Sequence, residues 1–343
     1  MNTTTVSILG ASGYSGVELV RILSRRSDIA IASVMAARQA GQRIELLYPD
    51  LAGRFERVLE PTDAGRAAEA DIVFLALPSG EAMQIVPELL RANTRVIDLG
   101  GDFRLPRAEQ YQRAYGRAHT SPELLAEAVY GLPEINRTRI AGASLVSNPG
   151  CYPTSAILAL LPALRAGLID PGSIAVNALS GVSGAGRSSS VEMSFGEVNE
   201  NVRAYRVGAH QHQPEIAHVL ETASGVAPTL SFVPHLLPIT RGIFTTATVE
   251  LARAATTADV LALYHEAYDR EPFVRVKDTL PEIRSVRYTN YCDISAMVDA
   301  QSGKLIVLST IDNMLKGAAG QAVQNMNIML GLKEEESLAW TPG

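Results

Sequence analysis

Residues 6–26 constrain this chain more than any other stretch. Val6-Ser7-Ile8-Leu9 reads as a short buried strand, and Val17 to Arg26 reads as a helix with Leu19, Val20, Ile22 and Leu23 on its apolar face. Between them stands Gly10-Ala11-Ser12-Gly13-Tyr14-Ser15-Gly16. A strand that turns through glycines straight into a helix opens a doubly wound α/β sheet. The pattern continues with strands predicted over 29–35, 71–77 and 95–99 and a helix over 81–91. These strands are apolar runs without polar alternation, as a parallel sheet covered on both faces requires.

The texture changes after residue 151. Longer strands are expected over 173–179, 229–233, 245–251, 284–295 and 304–309, with the clearest helix over 258–270. That pattern suits an α+β domain built on a mixed or antiparallel sheet. A last helix near 318–330 is expected to pack back on the first domain. The predicted organisation is therefore residues 1–150 joined by a C-terminal helix over 315–343, and a second domain over 151–314.

Glycines at 10, 13 and 16 give the spacing G-x-x-G-x-x-G. They permit a tight turn and let backbone N–H groups approach a pyrophosphate at a helix start. Gly10, Ser12, Gly13, Tyr14, Ser15 and Gly16 are thus candidate cofactor residues, unless the turn serves an α/β domain that binds nothing. An NAD site carries an acidic residue about 20 residues further on, for the ribose hydroxyls. Here the second strand ends Met35-Ala36-Ala37-Arg38-Gln39, with no carboxylate. Arg38 can pair with a 2′-phosphate, which favours NADP(H); the alternative for it is a solvated loop arginine.

Ser147-Asn148-Pro149-Gly150-Cys151-Tyr152-Pro153-Thr154 places one of only two cysteines in a Pro/Gly turn at the apparent start of a helix. Unpaired N–H groups and the positive end of the helix dipole stabilise a thiolate there. Cys151 is a candidate nucleophile, with packing as the competing reading. A second hot spot is His210-Gln211-His212-Gln213-Pro214-Glu215-Ile216. His210 and His212 can share one face of an extended segment, and Glu215 can orient or charge-stabilise an imidazole. With His218 nearby, a metal site competes, but no further ligand set completes it and none is expected.

Cysteine, histidine and a nicotinamide cofactor together suit one reaction type. A thiolate displaces the leaving group of an activated acyl substrate, the thioester accepts hydride, and a histidine manages the protons. Helix-start N–H groups can hold the developing oxyanion.

Composition narrows the partners. The chain has 343 residues, 47% of them apolar and 19% charged, with a net charge of −6 and a pI near 5.6. That balance argues against nucleic acid or an anionic membrane as partner. No apolar run approaches a membrane span, no signal peptide is expected, and two cysteines without framework spacing fit a reducing, cytoplasmic setting.

Several motifs stand in order along the chain. They are Gly10 to Gly16, Asp98-Leu-Gly-Gly-Asp-Phe-Arg104, Asn148 to Thr154, Ser180-Gly-Val-Ser-Gly-Ala-Gly-Arg187, His210 to Ile216, Pro234-His-Leu-Leu-Pro-Ile-Thr-Arg-Gly242 and Asp312-Asn-Met-Leu-Lys-Gly-Ala-Ala-Gly-Gln321. Together they resemble the N-acetyl-γ-glutamyl-phosphate reductase family of the aspartate-semialdehyde dehydrogenase-like superfamily. The resemblance implies a Rossmann-type domain with a second α+β substrate and dimerisation domain. It also implies NADPH-dependent reduction of N-acetyl-L-glutamyl 5-phosphate to the 5-semialdehyde, with release of phosphate, in arginine biosynthesis.

The same resemblance implies Cys151 as nucleophile and His210 as acid/base, with His212 and Glu215 supporting. Ser180, Gly184 and Asn313 would lie at the cofactor. Arg104, Asn148, Arg187 and Arg241 are candidate substrate or phosphate partners, with structural salt bridges the alternative for Arg104 and Arg241. A homo-oligomer, dimer or tetramer, is expected.

The chain departs from the family at Ser79-Gly80, where a histidine precedes glycine, at Gly100-Gly101 for Ser-Ala, and at Tyr288, where a glycine commonly precedes the Thr-Asn pair. Related acyl phosphates, of amino-protected 2-aminoadipate or aspartate, are the rival substrates. A non-catalytic NADP-sensing regulator is the rival of another class.

Overall fold

The computed structural model describes residues 3–187 and 190–338. They form two compact units, one from the residues up to Gly150 together with those from Ala318 onward, the other from Cys151–Gly317.

The first unit is built on six strands, β1 (Thr4–Leu9), β2 (Ile29–Met35), β3 (Ile72–Leu75), β4 (Arg95–Asp98), β5 (Val129–Tyr130) and β6 (Leu145–Ser147). Their order is 2-1-3-4-6-5 and every pairing is parallel. This is the Rossmann-type arrangement. Residues of β3 are all buried, as strands covered on both faces must be. The chain leaves β1 for β2 on one side and reaches β3 on the other. The carboxyl ends of β1 and β3 therefore flank the switch point, where α/β sheets bind ligands.

Numbering helices of eight or more residues, this unit carries α1 (Tyr14–Leu23), α2 (Ala82–Arg91), α3 (Ala108–Tyr115), α4 (Pro133–Ala141) and, from the far end of the chain, α8 (Ala319–Met329). Every residue of α8 is buried, its Gln and Asn side chains included. Buried amides need partners. Asn325 Nδ2 donates to the Gly131 carbonyl at 2.9 Å and to Asn148 Oδ1 at 3.1 Å, and Asn327 Oδ1 accepts from Arg26 at 2.6 Å.

The second unit has seven strands, β7 (Ile174–Ser180), β8 (Arg203–Ala204), β9 (Leu230–Leu236), β10 (Ile243–Val249), β11 (Val274–Val276), β12 (Cys292–Val298) and β13 (Leu305–Ile311). The order is 11-12-13-10-7-9-8, parallel at β11–β12 and β7–β9 and antiparallel elsewhere. Helices α5 (Cys151–Arg165), α6 (His212–Ser224) and α7 (Thr257–Tyr268) complete it.

Helix α5 is the core of this unit, buried from Tyr152 to Leu164. Pro162 inside it lacks the N–H that the Leu158 carbonyl would accept. The Tyr268 hydroxyl of α7 takes that place at 2.7 Å. Helix α7 itself begins with a reciprocal Thr256–Asp259 capping box.

The strand expected over 284–295 is not continuous. Ile283–Val286 makes a helical turn, Tyr288 adopts φ +62°, and the strand starts only at Cys292. The physical reason lies elsewhere in the chain, because the Asp312 carboxylate accepts the Tyr288 N–H at 2.8 Å and replaces a ladder bond. Nor does a helix run from residue 315. Asp312 also accepts the N–H groups of Met314 and Leu315, which holds a turn before α8 begins at Ala319. Among the described residues, no helix is long and apolar enough to cross a membrane.

Candidate active site

Cys151 is the first residue of α5 and is half-buried. The chain returns beneath it at Gly317. A Cβ there would stand 2.8 Å from Cys151 Cβ and 2.6 Å from the Asn313 carbonyl oxygen, so only glycine fits.

His210 lies just ahead of α6 and is buried. Its Nδ1 accepts the His212 N–H at 3.1 Å, so the neutral imidazole carries its hydrogen on Nε2. The ring is boxed by Phe232 at 5.4 Å, Tyr205 at 5.6 Å, Tyr152 at 5.8 Å and His212 at 4.7 Å between centroids. Burial lowers its pKa to about 4, and the Arg206 charge adds to the effect. The ring is thus neutral at pH 7.

His212 and Glu215 are buried in the first turn of α6. The Tyr205 hydroxyl donates to the Tyr152 hydroxyl at 3.0 Å, which donates to the His235 carbonyl at 3.2 Å. Burial pushes Tyr205 up to about 12, and negative charge at Cys151 acts in the same direction on both phenols. The two tyrosines therefore lie within electrostatic reach of Cys151 as well as against His210.

Three motifs converge in this unit. Asn313 Oδ1 accepts the Gly242 N–H at 2.7 Å and its Nδ2 donates to Ser183 Oγ at 2.9 Å. A Cβ on Gly184 would lie 3.3 Å from Ser180 Oγ and 3.7 Å from Asn313 Nδ2. Ser180, Gly184 and Asn313 are thus brought together. Arg241 is committed differently. It pairs with the buried Asp312 at 3.1 Å and lies 4.9 Å from the Tyr288 ring centroid. Arg187 is exposed.

In the first unit the glycine turn is a cradle that side chains would fill. Gly10 has φ +82°, and a Cβ on it would meet the Ala76 carbonyl oxygen at 2.2 Å; one on Gly16 would meet the Gly10 carbonyl oxygen at 2.2 Å. Gly13 occupies the N-cap of α1 with no side-chain capping bond, which suits the turn to a pyrophosphate. Ser12 Oγ donates to Gln39, four residues beyond the end of β2, 2.9 Å away. Tyr14 is exposed, Ser15 half-buried, and Arg38 exposed.

Arg104 donates to the carbonyls of Leu99 and Asn148 at 2.7 and 2.9 Å. The Asn148 amide is itself spanned between the Ala318 carbonyl and Asn325. Both residues therefore shape the Asn148-Pro149-Gly150 turn, a job the sequence did not separate from anion binding. Asp98 is fully buried, and burial together with the neighbouring Asp102 raises its pKa to about 7.

Sequence reasoning missed Tyr205, Phe232, Gly317 and Asp312 as site-building residues. Gly317 and Asp312 stood in a quoted motif; Tyr205 and Phe232 carried no local signal. Among the described residues, no three His, Cys, Asp or Glu side chains group as metal ligands would.

Comparison with known proteins follows the division of the chain. Residues 5–143 match the model of the semialdehyde dehydrogenase NAD binding domain, and residues 151–313 that of the semialdehyde dehydrogenase dimerisation domain. In solved structures, aspartate semialdehyde dehydrogenase II of Vibrio cholerae complexed with ASA has a TM-score of 0.74 at 16% identity, over 96% of this chain and 99% of that one. Aspartate semialdehyde dehydrogenase with NADP from Candida albicans has a TM-score of 0.71 at 17% identity, over 96% and 99%. These share the fold.

Curated relatives are far more similar. The proteins named N-acetyl-gamma-glutamyl-phosphate reductase from Geobacter sp. (strain M21) and Pelotomaculum thermopropionicum are each 49% identical, over 98% of both chains and 97% of both chains respectively. Likeness of that degree, sustained from the glycine turn to the last helix, makes this chain a member of the N-acetyl-gamma-glutamyl-phosphate reductase family.

Proposed function

We propose that this chain reduces N-acetyl-L-glutamyl 5-phosphate to N-acetyl-L-glutamate 5-semialdehyde with NADPH, releasing phosphate, as a step of arginine biosynthesis. The observation that carries the reading is Cys151 at the first residue of α5, within reach of the tyrosine pair that also boxes His210. The names of the relatives supply the substrate.

The Cys151 thiolate attacks the acyl carbonyl, the C–O bond to phosphate breaks, and a thioester forms on Sγ. The α5 N-terminus stabilises the thiolate and offers N–H groups to the developing oxyanion. A reduced nicotinamide, when bound, would supply the hydride that the thioester carbon accepts. His210, neutral and protonated on Nε2, donates a hydrogen bond to the carbonyl oxygen as negative charge grows there. Loss of the C–S bond returns the thiolate and releases the aldehyde. His212 and Glu215 hold the segment that carries His210.

The glycine cradle fits the cofactor's pyrophosphate, through Gly10, Gly13, Gly16 and the turn residues Ser12, Tyr14 and Ser15. The exposed Arg38, with no carboxylate at the end of β2, favours the 2′-phosphate of NADP(H). Ser180, Gly184 and Asn313 serve the nicotinamide end in this reading. The chain also forms a homo-oligomer. The outer face of the seven-stranded sheet, with half-exposed Leu179, Phe244 and Leu308, is the surface that a second copy covers, in keeping with the name of the domain model.

The test runs the reaction backwards, as phosphate-dependent reduction of NADP⁺ with N-acetylglutamate semialdehyde. Turnover that needs phosphate, prefers the acetylated substrate to aspartate semialdehyde and vanishes in Cys151→Ser is expected. Preference for aspartate semialdehyde would keep the chemistry and overturn the substrate.

A further inference from the structure

We infer that Tyr205 is a positioning residue, whose ring and hydroxyl together lock the His210 imidazole against Tyr152, the residue that follows Cys151. The inference rests on the reading of His210 as the proton-handling group.

A single hydrogen bond to Nδ1 fixes the tautomer of His210 but leaves its ring free to swing about that bond. The surrounding rings remove this freedom. Phe232 and Tyr152 are fixed by the sheet and by α5, whereas Tyr205 belongs to the irregular segment between β8 and α6. Three anchors hold it. Its neighbour Ala204 pairs with His235 of β9, its N–H donates to the Pro234 carbonyl at 3.1 Å, and its hydroxyl donates to Tyr152 at 3.0 Å.

Consecutive residues of β9 thus hold both tyrosines, because the His235 carbonyl accepts from Tyr152. Packing alone would be met by phenylalanine; a part-buried hydroxyl is tolerated because it is bonded. Directly after Tyr205 the backbone enters the left-handed region at Arg206, φ +47°, unusual for a side-chain-bearing residue. Arg206 Nη1 donates to Gln211 at 2.9 Å, which closes the segment just beside His210. The charged or titratable groups that face the ring are Tyr152 from α5, His212 from α6, and Tyr205 and Arg206 from the segment itself.

The experiment compares the full-length wild type with Tyr205→Phe and Tyr205→Ala. Imidazole tautomer and titration are read by nitrogen-15 histidine NMR, and kcat and KM by the reverse assay across pH. In Tyr205→Phe, kcat is expected to fall roughly 3–10-fold with KM within about twofold, the worth of one neutral hydrogen bond. In Tyr205→Ala the fall is about 100-fold, the cost of a reacting group displaced by about 1 Å. There the His210 titration also moves upward from its value of about 4 as water reaches the ring.

Unchanged His210 signals and unchanged kcat in both variants would overturn the inference. A rise in KM alone would overturn it too, by making Tyr205 a substrate contact. Should the wild type turn over neither semialdehyde, the proposed function falls, and the NMR comparison still decides the role of Tyr205.

Discussion

His210 and Asp98 are buried ionisable side chains whose uncharged forms burial favours, and their pH dependences run in opposite directions. Folded His210 protonates at about 4 against 6.5 in the open chain. Between those values the unfolded state takes up a proton that the folded state refuses. Stability of the second unit therefore falls as pH drops from 6.5 toward 4, by up to about 3 kcal/mol. Asp98 keeps its proton to about pH 7 when folded but loses it near 3.8 when unfolded. Its contribution is complete below 3.8 and is lost as pH rises through 7, up to about 4 kcal/mol in the first unit. Amide exchange followed from pH 4 to 7 tests both. His210→Gln should flatten the acid-side loss reported by β9, and Asp98→Asn the loss with rising pH reported by β6. A variant whose pH slope matches the wild type would refute the assignment for that residue.

At the scale of elements, the α5 N-terminus depends on a residue 166 positions away in sequence, Gly317 beneath Cys151. Gly317→Ala forces a methyl group to within 2.6 Å of the Asn313 carbonyl oxygen and 2.8 Å of Cys151 Cβ. The expected cost is about 1–3 kcal/mol of stability, with turnover falling by at least roughly tenfold as the proposed nucleophile is displaced. Thermal unfolding and the rate of Cys151 alkylation check this; wild-type values for both would contradict it. Such dependence explains what could be read from sequence. The β1-turn-α1 unit was legible because its signals are local: an apolar run, three glycines and an apolar helix stripe. Helix α5 was legible from Pro149, Gly150 and Pro153 for the same reason. β5 and β6, of two and three residues, are too short for any periodicity to show. The interrupted 284–295 strand was illegible because Asp312 reaches back to Tyr288. Tyr205 was illegible because the pairing of β8 with β9 positions it.

At the scale of the molecule, the two sheets meet solvent differently. The parallel sheet is wrapped on both faces, whereas β7, β10 and β13 present an outer row of half-exposed Leu179, Phe244 and Leu308. In antiparallel register Leu179 opposes Phe244, and Leu308 opposes Thr246, which puts the three apolar side chains on one face of the sheet. Leu308→Asp is expected to shift the protein to monomer in light scattering after size exclusion while leaving its circular dichroism unchanged. An oligomer of wild-type mass would refute the proposed interface. The placement of α8 has a different consequence. The Asn148 amide finds its partner in Asn325, 177 residues later, and Gly131 waits for the same side chain. A ribosome therefore releases the contiguous Cys151–Gly317 unit before it has made the piece that closes the unit synthesised first. The half of the protein with the glycine cradle is begun first and completed last, so a nascent chain holds all of the seven-stranded unit before it holds a finished parallel sheet.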